Sequence, residues 1–169
     1  MKKVLVSFLI TSSFIFALTV GQKAPTVVLS GENGGYISGG AWSSSSLKGK
    51  LHLLLYADPD KRKAMSNVLS FIKNNHFKNR LKTVAIINMK ATWLPNFAIE
   101  KKLRSKQKEL KNVVYVEDKN KYLVRKWGLK DNDTNIILFD KRGKVLYKHS
   151  GDISSEELKK LYYIIRKNL

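Results

Sequence analysis

Leu51-His52-Leu53-Leu54-Leu55-Tyr56 is a six-residue apolar run broken only by one imidazole. It is too short for an ordinary helix and lacks the alternation of a half-exposed strand. That pattern predicts a strand covered on both faces. Downstream, Met65, Val68, Leu69 and Ile72 fall at helical spacing, and the alternation then repeats. Strands are expected at 83–88 and 113–116, helices at about 97–108 and 121–127, and a further strand at 136–139. Asp140-Lys141-Arg142-Gly143 makes a tight turn into a strand over 144–149, closing a hairpin. Ser154 and Glu157 are spaced as a capping box for a last helix lined by Leu158, Leu161, Tyr162 and Ile165. Strands alternating with helices imply an α/β fold with a mixed, mostly parallel central sheet flanked by helices, ending in a β-hairpin and a helix. Upstream, Gly31 to Ser46 is rich in Gly and Ser, with Tyr36 and Trp42 its only large apolar side chains. It reads as an irregular loop or hairpin before the main sheet.

At the amino terminus, Lys2 and Lys3 precede an apolar run from Val4 to Leu18 interrupted by Ser7, Thr11, Ser12 and Ser13. This is the layout of a secretory signal peptide, and Ala17 supplies a small residue for cleavage. A bilayer-spanning helix needs about 20 apolar residues, more than this run provides. The expected division is a signal peptide over 1–17 and one domain over 18–169, periplasmic, with no transmembrane span in the mature chain. No cysteine follows the leader, so a lipoprotein-type anchor has no attachment point.

The chain has no cysteine anywhere, although exported proteins occupy compartments where disulfides persist. Thiol chemistry, c-type haem attachment and cysteine metal sites are thereby excluded. Removing Lys2 and Lys3 takes the formal charge from +19 to +17. Most of that charge lies on stretches that read as amphipathic helices with solvated faces. An anionic surface or acidic partner is the functional alternative. Export argues against nucleic acid, and no helix-turn-helix pattern is present. His52, His76 and His149 lack metal-ligand spacing, and no phosphate loop, nucleophile elbow or metalloprotease helix occurs. No metal, cofactor or catalytic residue is therefore assigned. His52 reads as a satisfied core or rim histidine.

The order of elements, with Leu47-Lys48-Gly49-Lys50 before the first central strand, resembles the thioredoxin-like fold in its exported variety. Gly21-Gln22 with Pro25, Trp42 with Leu47 and Gly49-Lys50, Trp127-Gly128-Leu129, Asp140-Lys141 with Gly143-Lys144-Val145, and the closing helix are similar to the YtfJ family of exported bacterial proteins. That resemblance implies the fold and carries no established activity. It also locates a departure. The redox members of the fold place two cysteines on the first helical turn after the first core strand, where the helix terminus lowers the thiol pKa. The matching positions here are Lys61-Arg62-Lys63-Ala64, and their facing cis proline falls near Thr134, which Asn135 follows.

In open α/β sheets, ligands bind beyond the carboxyl ends of the parallel strands. Three segments are expected to meet there: Asp58-Pro59-Asp60-Lys61, the loop carrying Trp93, Pro95 and Asn96, and Asp131 to Thr134 with Asp133. Each has a purely structural reading. Asp58 reads as a helix N-cap with Pro59 at the first helical position and Asp60 favourable to the helix dipole. Trp93 reads as packed on the domain, and Asp131 and Asp133 as turn residues. Functionally, these residues would form an edge for a cationic or mixed aromatic and basic ligand, such as a peptide segment. The expected function is a non-redox binding or accessory module for an envelope protein or small ligand. An enzyme using Asp58, Asp60, Lys61 and Thr134 is the alternative.

Overall fold

The structure, a computed structural model, describes residues 17–169; all of the expected leader except Ala17 lies outside the described residues. The apolar run forms β4 (Leu51–Ala57), and every one of its residues is buried. It lies inside a six-stranded sheet of order β2-β6-β5-β4-β7-β8. The other members are β2 (Gly34–Tyr36), β5 (Leu81–Asn88), β6 (Val113–Asp118), β7 (Asn135–Phe139) and β8 (Val145–Ser150). The parallel pairings are β4 with β5 and β5 with β6; β7, β8 and β2 add antiparallel flanks. Two-residue strands β1 (Val28–Leu29) and β3 (Trp42–Ser43) pair separately.

Alternate residues of β4 go to opposite faces, as the strand period of two requires. Leu51, Leu53 and Leu55 pack under α1 (Arg62–Asn74) and α4 (Ser155–Asn168), with Val68, Leu161 and Ile165 as the facing side chains. On that same face α2 (Asn96–Glu109) covers Ala85, Ile87, Val113 and Tyr115. Leu54 and Tyr56 point the other way, against Trp42, Trp127 and Phe139. That second face is covered by α3 (Tyr122–Trp127) and by the chain before β4. Leu18 is buried there, its N–H donating to the Trp127 carbonyl at 2.9 Å. Among the described residues no helix is long and apolar enough to cross a membrane.

The segment read as an irregular loop or hairpin before the main sheet contains a strand of that sheet. Gly34 pairs with Asp118 and Tyr36 with Val116. The glycines that hide β2 from a propensity reading are what let it form. Gly34 has φ +108°, and a Cβ there would meet the Glu117 carbonyl oxygen at 2.0 Å; at Gly35 a Cβ would lie 2.3 Å from the Gly40 oxygen. Only a residue without a side chain allows those approaches. The closing helix follows expectation, with the Ser154 hydroxyl accepting the Glu157 N–H at 3.2 Å.

The first helix starts later than expected. Asp58 does not cap it: the helix begins at Arg62 after Lys61, and the Asp58 carboxylate instead accepts the Asp60 N–H at 2.7 Å. Pro59 lies in the intervening turn rather than at the first helical position. The local Asx turn satisfies the carboxylate before the helix begins.

Candidate functional site

The carboxyl ends of β4, β5 and β6 and the start of β7 share one edge of the sheet, and hydrogen bonds tie their loops together. The Asp58 N–H donates to the Asp133 carbonyl at 3.4 Å, and the Thr134 hydroxyl to the Lys61 carbonyl at 3.0 Å. Thr134, near which the resemblance puts the redox relatives' proline, is fully buried and its hydroxyl spent on that contact. From β5, the Asn88 amide donates to Asp131 at 3.1 Å. Asp131 also receives the Lys121 ammonium at 2.7 Å. Asp133 pairs with Lys130 at 2.8 Å and accepts the Thr134 N–H. Burial pushes both carboxyls up, but these ammonium and N–H contacts outweigh it and hold Asp131 and Asp133 below the ordinary aspartate range. Both are satisfied, ionised turn residues.

Asp58 and Asp60 differ in exposure. Asp58 is 4% exposed, with its carboxylate engaged by the turn; Asp60 is exposed. Trp93 is 87% exposed, which overturns the packing reading for it; its neighbour Leu94 takes the inward position. Phe97, on the first turn of α2, is 75% exposed. Pro95 and Asn96 start that helix, the Pro95 carbonyl accepting the Ala98 and Ile99 N–H groups.

Between α2, Met65 of α1 and the Asp58–Asp60 turn runs a groove of about 310 Å³. Leu94, Ala98, Ile99 and Leu103 line it, over Ile87 and Tyr115 of the sheet. Its origin is legible in α2. That helix buries only Ile99 and Leu103, and the methyl of Ala98 is too small to close the space above Ile87. Lys102, Lys106 and Glu109 stand on its rim, and Asp60 at its end. The volume falls at the lower end of small-ligand pockets. Thus Asp58–Lys61 and Asp131–Thr134 do meet. The Trp93 segment contributes through Leu94 to the groove wall.

Sequence reasoning missed the residues that hold this edge in place. Asp118, fully buried, accepts the Tyr122 and Leu123 N–H groups at 2.8 Å each and the Tyr56 hydroxyl at 3.2 Å. Burial, and then the Asp118 charge, pushes the Tyr56 phenol far up. Lys121 adopts a left-handed conformation, φ +54°, directly before α3. Asn135, also buried, exchanges two hydrogen bonds with the Lys130 backbone and accepts one from Ser150. An Asp ending a strand a few residues before a helix is a recognisable capping signal. Nothing local announces the Tyr56 contact. Among the described residues no three His, Asp or Glu side chains gather as a metal site.

Comparison with known proteins places this geometry. A protein of Haemophilus influenzae (strain ATCC 51907 / DSM 11121 / KW20 / Rd), described as uncharacterized, is 28% identical over 166 residues, covering 92% of this chain and 89% of its own. A thiol peroxidase from Chromobacterium violaceum superposes with a TM-score of 0.66 at 12% identity, covering 92% of each chain. A pneumococcal exposed lipoprotein thioredoxin from Streptococcus pneumoniae strain TIGR4 gives 0.53 at 16% identity, covering 78% of this chain and 95% of its own. At these identities the structural likeness establishes the fold, which is thioredoxin-like. Residues 17–168 match the profile of the family described as "Bacterial protein of unknown function (YtfJ_HI0045)", and the chain belongs to that family.

Proposed function

We propose that this protein is exported to the periplasm and works there as a non-redox binding module. It holds a peptide segment of an envelope protein by an apolar side chain in the groove beside α2, with a basic group of the same segment against Asp60. One observation carries the reading: the apolar groove opens beside an exposed carboxylate, on the turn that directly precedes Lys61–Ala64, which the fold resemblance matches to the redox relatives' cysteines. The missing thiols support the non-redox part, since no mixed disulfide can form. The Lys-flanked apolar leader supports export. An enzyme working through Asp58, Asp60, Lys61 and Thr134 has less behind it. The Asp58 carboxylate is taken by the Asp60 N–H, and the Thr134 hydroxyl by the Lys61 carbonyl.

The test is affinity capture from envelope extract with the wild-type mature chain and with Ala98→Phe, whose ring fills the groove. Loss of the captured partner from a variant that still folds is the expected result. Undiminished capture of the same partner would place its site elsewhere. Mass spectrometry of the envelope fraction should find a chain beginning at or near Leu18, and an intact Met1 terminus overturns export.

A further inference from the structure

At the opposite edge of the sheet, and on its other face, the chain assembles a second recess that the binding reading above does not use. It lies at the amino ends of β4, β5 and β6, with a volume of about 450 Å³. Three segments far apart in sequence bring lysines to it: Lys48 and Lys50 from the entry to β4, Lys82 from β5, and Lys111 from the approach to β6. No carboxylate lines the recess, and none of the four ammonium groups forms an ion pair with a described residue. Among the described residues, Lys106, Lys119, Lys121, Lys130 and Lys160 do have carboxylate partners, all of them outside this recess. Asn112 adds a neutral polar group beside Lys111.

Four like charges converging on a concave, partly apolar wall raise the local potential, and their mutual repulsion is relieved when an anion enters. The floor suits a compact ligand. Trp42 is fully buried beneath it, and the half-buried Tyr36 lines it beside the lysines. Ammonium groups arranged in this way act as point-charge partners for phosphate oxygens. We propose that the recess at the amino ends of β4, β5 and β6 binds a phosphate-bearing ligand through Lys48, Lys50, Lys82 and Lys111.

A reporter is built into the wall. His52 pairs in register with Lys82, is 8% exposed, and its Nδ1 lies 3.0 Å from the Lys50 carbonyl. Burial lowers its pKa, backbone contacts to Lys50 and Leu47 oppose that, and the ammonium groups of Lys82 and Lys50 lower it further. Beyond β4, His52 pairs with Phe139 of β7. The nearby Asp140 carboxylate is occupied by the Arg142 and Lys144 N–H groups at 2.8 Å each. An anion in the recess therefore offsets the lysine field and raises the His52 pKa.

The experiment follows the His52 imidazole by NMR across pH in the mature chain, with and without inorganic pyrophosphate. Binding is measured in parallel to pyrophosphate and to phosphatidylglycerol or phosphatidylcholine vesicles. Three proteins are compared: wild type, Lys82→Gln/Lys111→Gln, and Lys159→Gln/Lys167→Gln. The last pair removes the same charge from exposed positions of α4. Saturable pyrophosphate binding that raises the His52 pKa, weakened about tenfold or more only in the Lys82/Lys111 variant, supports a small phosphate ligand. Binding to phosphatidylglycerol vesicles alone, lost in that same variant, supports a lipid headgroup as the phosphate source. Equal weakening in both variants means that net charge is responsible and overturns the proposal. So does binding that leaves His52 unmoved, or no binding to either probe. None of these outcomes bears on the α2 groove, which Ala98→Phe tests separately.

Discussion

Asp118→Ala should be among the most damaging single substitutions in this protein. Its carboxylate accepts N–H groups from Asn120 at 3.2 Å and from Tyr122 and Leu123 at 2.8 Å each, and the Tyr56 hydroxyl at 3.2 Å. An alanine there removes the cap of α3, worth about 1 kcal/mol. It also strands the Leu123 N–H and the Tyr56 hydroxyl in a dry interior, at about 1–3 kcal/mol each. The Asn120 N–H is half-buried and finds water, so it adds little. The expected loss is about 3–7 kcal/mol, a large share of the roughly 5–15 kcal/mol typical of a domain. Tyr56→Phe removes one donor and leaves the carboxylate its backbone partners, so about 1 kcal/mol is expected. The double variant should cost less than the sum, because a phenylalanine strands nothing when Asp118 is gone. Urea unfolding at neutral pH, followed by far-UV circular dichroism, measures all three. A loss below about 1 kcal/mol for Asp118→Ala, or strict additivity in the cycle, would refute the reasoning.

Gly35→Ala should destabilise by about 2 kcal/mol or more, since the added methyl meets the Gly40 carbonyl while φ stays at +143°; a neutral result in the same assay would mean that β2 does not sit where the pairing puts it. Stability should also fall with acid in two stages. The depressed folded pKa of His52 means that the unfolded chain takes up its proton first, so stability is lost as pH falls from above 6.5 through the folded value. Asp131 and Asp133, likewise depressed, contribute stability above their unfolded values that disappears below about pH 4. His52→Gln should flatten the first stage alone, and an unchanged slope between pH 7 and 5 rejects this origin. Asp60→Ala/Trp93→Ala should leave stability within about 1 kcal/mol while weakening partner capture, because both side chains are exposed; a loss of several kcal/mol by thermal unfolding would make them structural.

The site was legible in outline. The fold resemblance put the Asp58 turn beside Asp131–Thr134, and the two do meet, because the first leaves the carboxyl end of β4 and the second enters β7, which runs antiparallel to it. What each residue does there was decided by neighbours distant in sequence. Asp58 had the type and position of a helix cap, yet the Asp60 N–H captures its carboxylate one turn before the helix starts at Arg62. Trp93 carried a strong burial propensity, but Leu94 faces inward and the indole is left in solvent.

By itself, the sequence determined that Leu51–Tyr56 is an inner strand, that helices and strands alternate after it, that Ser154 starts the last helix, and that no thiol chemistry is possible. These follow from local periodicity, capping chemistry and composition, which a neighbour across the sheet does little to alter. Tertiary structure decided the strand order, the recruitment of a glycine-rich segment as the edge strand β2, the burial of Asp118 under Tyr56, and the gathering of Lys48, Lys50, Lys82 and Lys111 around one recess. Each of these depends on which backbone approaches which across many residues of intervening chain, a choice made by the packing of whole faces and invisible to any local pattern.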